Sequence, residues 1–135
     1  MKPGWLVVCA ASAAIVVFAP ARQPVFAHHS ATATYIHGQV VKIEGTLKEF
    51  VWRNPHSFMK VEAVDKNGEK QIWVIEGAAP QQLSEGGLTA STFRAGDKVV
   101  VTGYPGRIAE DHRLLLQVIE RPSDGFKYSG PAAQF

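Results

Sequence analysis

The chain has 135 residues, is 46% hydrophobic and 19% charged, and carries a formal net charge of +2 with a single cysteine. That is globular composition, and the length allows one domain and little more. One thiol excludes a disulfide framework or a thiolate zinc site, and so small a charge excludes the basic footprint of a nucleic-acid binder.

Met1-Lys2 is followed by an apolar run of 14 residues, Trp5–Phe18. This suits the hydrophobic region of a secretory signal peptide and falls short of the roughly 20 residues a spanning helix needs. Pro20 and Pro24 interrupt any continuation, and Val25-Phe26-Ala27 sets Val at −3 and Ala at −1 of a cleavage site. A signal peptide over residues 1–27 is therefore expected, cut before His28, with a competing cut after Ala21. Removing residues 1–27 takes Lys2, Arg22 and Cys9 away. The remaining 108 residues hold 12 basic against 12 acidic side chains, no thiol and all five histidines. A neutral, thiol-free domain sent to an oxidising compartment, with no membrane span left after cleavage, fits a bacterial periplasm or secretion.

Residues 28–38 are small and polar and read as an N-terminal arm. Gln39–Trp52 is β-rich, and Gly45 in its middle marks a bulge or bend. Arg53-Asn54-Pro55-His56 breaks the run, because Asn-Pro initiates turns. Ser57–Val64 alternates Met59, Val61 and Ala63 with Phe58, Lys60 and Glu62, the pattern of a half-buried strand. Asn67-Gly68 is a hairpin signal, and Lys70–Glu76 is the returning strand. Pro80–Glu85 reads as a short helix with proline in its first turn and glycines beyond its end. Val99–Tyr104 and Leu114–Glu120 are two further strands. Residues 122–135, rich in Gly, Pro, Ser and Ala, read as a weakly ordered tail. The pattern predicts an all-β domain over residues 39–121. Its form is a small five-stranded, OB-like, partly open barrel with one short helix between strands 3 and 4. An antiparallel sandwich is the alternative.

No GxGxxG, Walker A, HExxH, GxSxG or CxxC motif is present. Ser57-Phe58-Met59-Lys60 matches Ser-x-x-Lys, but on a strand an offset of three sends the two side chains to opposite faces. Asp65–Glu69 has its glycine at the wrong position for a calcium loop. Phe58 and Trp73 lie on strands where such barrels stack bases. A neutral mature chain lacks the Lys and Arg excess that phosphate contacts require, so these aromatics are expected in the core or against a partner.

The histidines carry the sharpest chemistry. A cut before His28 gives the amino terminus His28-His29-Ser30, whose free amine and first imidazole form a bidentate nitrogen chelate. A third nitrogen from a distant imidazole completes a planar set that suits Cu(II). His56 is the leading donor for that position, since a rigid turn holds it, and His29 is an alternative donor. A cut one residue earlier would give Ala27-His28-His29, which can also wrap Cu(II) or Ni(II). His37 and His112 are weaker candidates, and Glu76 is a possible acceptor behind a ligand.

Four stretches now occur in order: His28-His29-Ser30, Trp52-Arg53-Asn54-Pro55-His56, Trp73-Val74-Ile75-Glu76-Gly77 and Gly96-Asp97-Lys98-Val99-Val100-Val101-Thr102-Gly103. Together they resemble a family of small exported bacterial proteins defined as a domain of unknown function. Its members start HHSF when mature, carry a tryptophan stretch ending in NPH, and have a GD-x-V-x-V-x-G strand. Here Ala31 stands where an aromatic is usual, and Gly87-Leu88 stands where Gly-Trp is common. The resemblance implies an exported β-barrel-like domain and no particular activity. His28, His29, Asn54 and His56 carry over as motif positions.

The leading functional expectation is an exported, non-enzymatic binding or accessory protein. It would hold copper through His28, His29 and His56, with Asn54 orienting the turn. The alternative is a metal-free interaction module using Phe58 and Trp73 to bind a partner protein or small ligand. A copper-dependent oxidoreductase ranks last, because 108 residues leave little room for a substrate pocket beside the core.

Overall fold

A computed structural model describes residues 31–130. Ala31–Thr34 form a single helical turn, α1, and the strands that follow are β1 (Val41–Val51), β2 (Phe58–Val64) and β3 (Lys70–Glu76). Helix α2 (Pro80–Glu85) precedes β4 (Lys98–Pro105), β5 (Arg113–Arg121) and β6 (Phe126–Ser129). The expected strands and helix fall where alternation, the Asn-Gly turn and Pro80 place them.

β1 is long because it serves two neighbours. Its second half pairs antiparallel with β2 from Gly45 to Val51, and its first half pairs antiparallel with β4 from Val41 to Thr46. Gly45 stands where the two ladders overlap. A Cβ there would overlap the Glu62 carbonyl oxygen, so the close approach requires glycine. A register shift between Leu47 and Glu49 adds the bulge expected of a strand that bends round a barrel.

β2 and β3 form the hairpin, β4 and β5 pair antiparallel, and Val74–Glu76 pair in parallel with Arg113–Leu115. That short parallel seam closes β1–β2–β3–β5–β4 into a small all-β barrel. Closure separates the fold from the sandwich, and it goes further than the partly open form expected. Within the segment read as a weak tail, β6 pairs with the far half of β5 and sends Tyr128, 2% exposed, into the core.

The interior includes the inward-facing positions that alternation marked in β2. Met59, Val61 and Ala63 pack with Ile43, Leu47, Ile75, Val99, Val101, Leu114 and Ile119, while Leu83 of α2 and Leu88 close one end. Each of the larger aliphatic side chains contributes about 1.5–3 kcal/mol on burial. Among the described residues no helix is long and apolar enough to cross a membrane.

Tyr35 and Leu115 are buried yet stand apart from that interior. Leu115 is the register partner of Glu76 on β3 and of Tyr104 on β4, so all three point to the outer surface of the barrel. The arm lies across this surface. Tyr35 bridges to Gly106, the Ile36 amide donates to the Pro105 carbonyl, and the Arg107 amide donates to the Thr34 carbonyl. The His37 and Tyr104 rings meet at a tilt, 5.0 Å between centres. The polar arm is thus a docked element from Ala31 onward.

Candidate functional site

The arm, the turn before β2, the end of β3 and the start of β5 converge on one carboxylate. Glu76 ends β3 on the outer face, and its side chain is only 16% exposed. The Tyr35 hydroxyl donates to Oε2 at 2.5 Å, and Arg113 Nη2 donates to the same oxygen at 3.3 Å. His56 Nδ1 lies 3.1 Å from Oε1. A carboxylate removed from water needs compensation of this kind, and here donors face both of its oxygens.

Burial, and next the facing carboxylate, hold the Tyr35 phenol above its ordinary value, so the hydroxyl remains a donor. The Arg113 guanidinium also lies over the Tyr35 ring, 6.0 Å from its centre. A proton on His56 Nδ1 makes the contact with Oε1 attractive, which leaves Nε2 as the nitrogen available to a ligand. The His56 side chain is 47% exposed, so a ligand can reach it.

A carboxylate behind one imidazole nitrogen, orienting the ring and raising the basicity of the other nitrogen, is the usual support of a metal-binding histidine. The residues that would complete such a site by the sequence reading, His28 and His29, lie outside the described residues. Among the described residues no three His, Cys, Asp or Glu side chains are grouped to hold a metal ion.

The remaining expected residues are placed as follows. Asn54 is exposed in the turn, joined to Pro55 by a cis peptide bond. Phe58 is the register partner of Glu76 and so faces outward, with the Arg53 guanidinium 5.6 Å from its ring centre. Trp73 pairs with buried Val61 and packs against the core, its ring meeting His112 edge to face at 5.1 Å. Phe58 and Trp73 therefore lie on opposite faces of the sheet and do not share one surface. His112 and His37 are each engaged with an aromatic ring, Trp73 and Tyr104 respectively.

Tyr35 and Arg113 carry no motif in the sequence. Tyr35 stands alone in a small, polar run, and Arg113 follows a loop histidine. An unpaired-looking glutamate at the end of an apolar strand was the signal that something must neutralise it.

The outer face of β1–β2–β3 is laid with paired charges rather than a basic stripe. Lys48 and Lys70 reach Glu62 at 3.4 and 3.5 Å, and Lys60 reaches Glu49 at 2.7 Å. A shallow, open groove on this side is lined by Glu44, Thr46, Glu62, Val64, Lys70 and Lys98. These mixed charges offer no concentrated field for a polyanion.

Fold and site together define a small, closed OB-like barrel with a carboxylate-held histidine on its outer surface. Residues 14–115 match a family of unknown function, DUF6152, and the chain belongs to that family. The match begins inside the apolar run and takes in Tyr35, His56, Glu76 and Arg113, while β6 lies beyond it. A comparison with curated proteins finds no match.

Proposed function

We propose that the mature chain is an exported, non-enzymatic copper-binding or accessory protein of the bacterial periplasm. In this reading cleavage after Ala27 frees the amine of His28. Amine and imidazole of His28 supply two nitrogens, Nε2 of His56 supplies the third, and His29 is an alternative donor. Glu76 orients His56, and Asn54 belongs to the turn that presents it. A set of nitrogen donors with planar geometry favours Cu(II), which also stands highest among the divalent metals in affinity for such ligands. Zinc in a structural site would want four ligands.

The observation that carries the reading is the shared carboxylate. One oxygen of Glu76 faces His56, and the other receives Tyr35 from the arm that begins, after cleavage, with His28. The fold thus anchors the arm and the turn histidine to a single side chain.

Two measurements test it. Intact mass of the protein recovered from the cell envelope should correspond to a start at His28; a start at Arg22, or an uncut leader, removes the chelating terminus. Cu(II) titration of that protein should show one tight site that weakens at least tenfold in both His28→Ala and His56→Ala. Equal, weak binding by all three proteins would leave the metal-free interaction module as the better reading.

A further inference from the structure

The turn that carries His56 is fixed to the barrel at two levels, and neither involves the amino terminus. Directly after His56, the Ser57 amide donates to the Ala78 carbonyl at 3.1 Å, and the Ser57 carbonyl accepts the Gly77 amide at 2.8 Å. Ser57 itself is buried. The backbone beside His56 is thus tied to the residues that follow Glu76. At the side-chain level, Tyr35 at 2.5 Å and Arg113 at 3.3 Å both donate to Oε2 of Glu76. A carboxylate oxygen has about two lone-pair sites. These donors therefore fill Oε2 and leave Oε1 turned to His56 Nδ1 at 3.1 Å.

We infer that Tyr35 and Arg113, acting through Glu76, lock His56 in the Nδ1–H tautomer. Its Nε2 is thereby a preformed donor for a metal complex with one open coordination position. Tyr35 and Arg113 are positioning residues, and neither touches the metal. In a neutral imidazole one nitrogen donates and the other accepts, and the hydrogen bond made by one fixes the role of the other. An isolated histidine side chain prefers its proton on Nε2, which blocks that nitrogen as a ligand. Here an ionised acceptor at Nδ1 reverses the choice, on a ring that is almost half exposed. Because turn and ring are already held, capture at Nε2 has less freedom to remove. The class of ligand is a borderline cation such as Cu(II), Ni(II) or Zn(II) already held by other ligands, for which imidazole is a suitable donor. The inference shares His56 and Glu76 with the copper reading and asks nothing of His28 or His29.

The probe is aquapentaammineruthenium(II), which has one exchangeable position and so cannot be chelated by the terminus. It is applied to the full exported protein as wild type, His28→Ala, Glu76→Gln, Arg113→Lys and the Tyr35→Phe/Arg113→Ala double variant. The backbone amide spectrum of each checks that the barrel is folded. Nitrogen-15 NMR above the ordinary imidazole range reads the tautomer of His56, its signals assigned by their absence from His56→Ala. Peptide mass reads the rate at which His56 is labelled. Wild type and His28→Ala should both hold the Nδ1–H tautomer and label at the same rate. Glu76→Gln turns an amide donor on Nδ1, so the proton should move to Nε2 and labelling should slow at least tenfold. The double variant should show mixed tautomers and label several times more slowly than wild type. Arg113→Lys keeps a cationic donor and should stay near wild type.

The Nε2–H tautomer in wild type, or an unchanged tautomer in the folded double variant, overturns the positioning role of Tyr35 and Arg113. The expected tautomers with one labelling rate throughout overturn the preformed donor. Slower labelling in His28→Ala overturns a donor built by the barrel alone. An exported protein that starts elsewhere than His28 defeats the copper reading, whereas the tautomer and labelling of His56 decide this inference either way.

Discussion

Glu76→Gln perturbs the centre of the site with the least change of shape. The carboxylate now accepts Tyr35 at 2.5 Å and Arg113 at 3.3 Å on one oxygen and faces His56 at 3.1 Å with the other. Glutamine keeps one carbonyl for Tyr35 and turns its amide group towards His56, so Nδ1 loses its carboxylate acceptor and can only accept there. Exchanging the charged acceptor for a neutral one at Tyr35 should cost about 1 kcal/mol, the usual difference between charged and neutral hydrogen bonds. Losing the ion pair to Arg113, partly open to solvent, should cost about 0.5–1 kcal/mol more. The sum is about 1.5–2 kcal/mol, or a fall in melting temperature of about 6–8 °C for a domain of this size. Urea unfolding at neutral pH with an unchanged m-value is the assay. The double variant Tyr35→Phe/Glu76→Gln should lose less than the two single losses added, because they remove the same bond. A Glu76→Gln protein within about 0.5 kcal/mol of wild type would refute the claim that this carboxylate ties arm, turn and barrel together.

Three further outcomes follow from particular contacts. The Ser57 hydroxyl is buried without a hydrogen-bond partner among the described residues, so Ser57→Ala should leave calorimetric stability unchanged or raise it by up to about 1 kcal/mol. A clear loss would mean that the hydroxyl has a partner. Gly45→Ala should destabilise by about 1–3 kcal/mol in chemical denaturation, because its Cβ would meet the Glu62 backbone; a neutral result would show that β1 can move away. Asp97 is held below its ordinary value, first by the Arg94 amide and then by Arg121. A carboxylate with a lowered folded value stabilises above its unfolded value near about 4 and loses that contribution as pH falls through the folded value. Asp97→Asn should therefore be less stable than wild type at pH 7 and converge with it in acid. A gap that persists in strong acid would contradict the ionic origin.

The barrel was legible because its signals are local and periodic. Met59, Val61 and Ala63 alternate, Asn67-Gly68 turns the chain, and Pro80 starts a helix, each within a few residues. Gly45 signalled a bulge or bend in a long strand; the bulge lies two residues on, and Gly45 itself stands at the overlap of two ladders, where close backbone approach requires it. β6 was hidden because Phe126–Ser129 is only four residues long and lies between Gly125 and Gly130. The site was half legible. His56 stood out by residue type and by its Asn-Pro turn, and Glu76 as a possible acceptor. Nothing local pairs them, since Tyr35, His56, Glu76 and Arg113 meet only when the parallel seam brings β3 beside β5. Phe58 and Trp73 show the reverse failure. Each suits a binding surface by type, but only the register, Phe58 opposite Glu76 and Trp73 opposite Val61, reveals that they point to opposite faces.

The claim that the arm and the NPH turn share one metal is tested most directly by pulsed paramagnetic resonance. The sample is the exported protein loaded with one equivalent of Cu(II) and labelled with 15N at histidine. Coupling to the imidazoles of both His28 and His56 is expected, with the His56 signal absent from His56→Ala. A spectrum from terminal nitrogens alone, identical in wild type and His56→Ala, would contradict it.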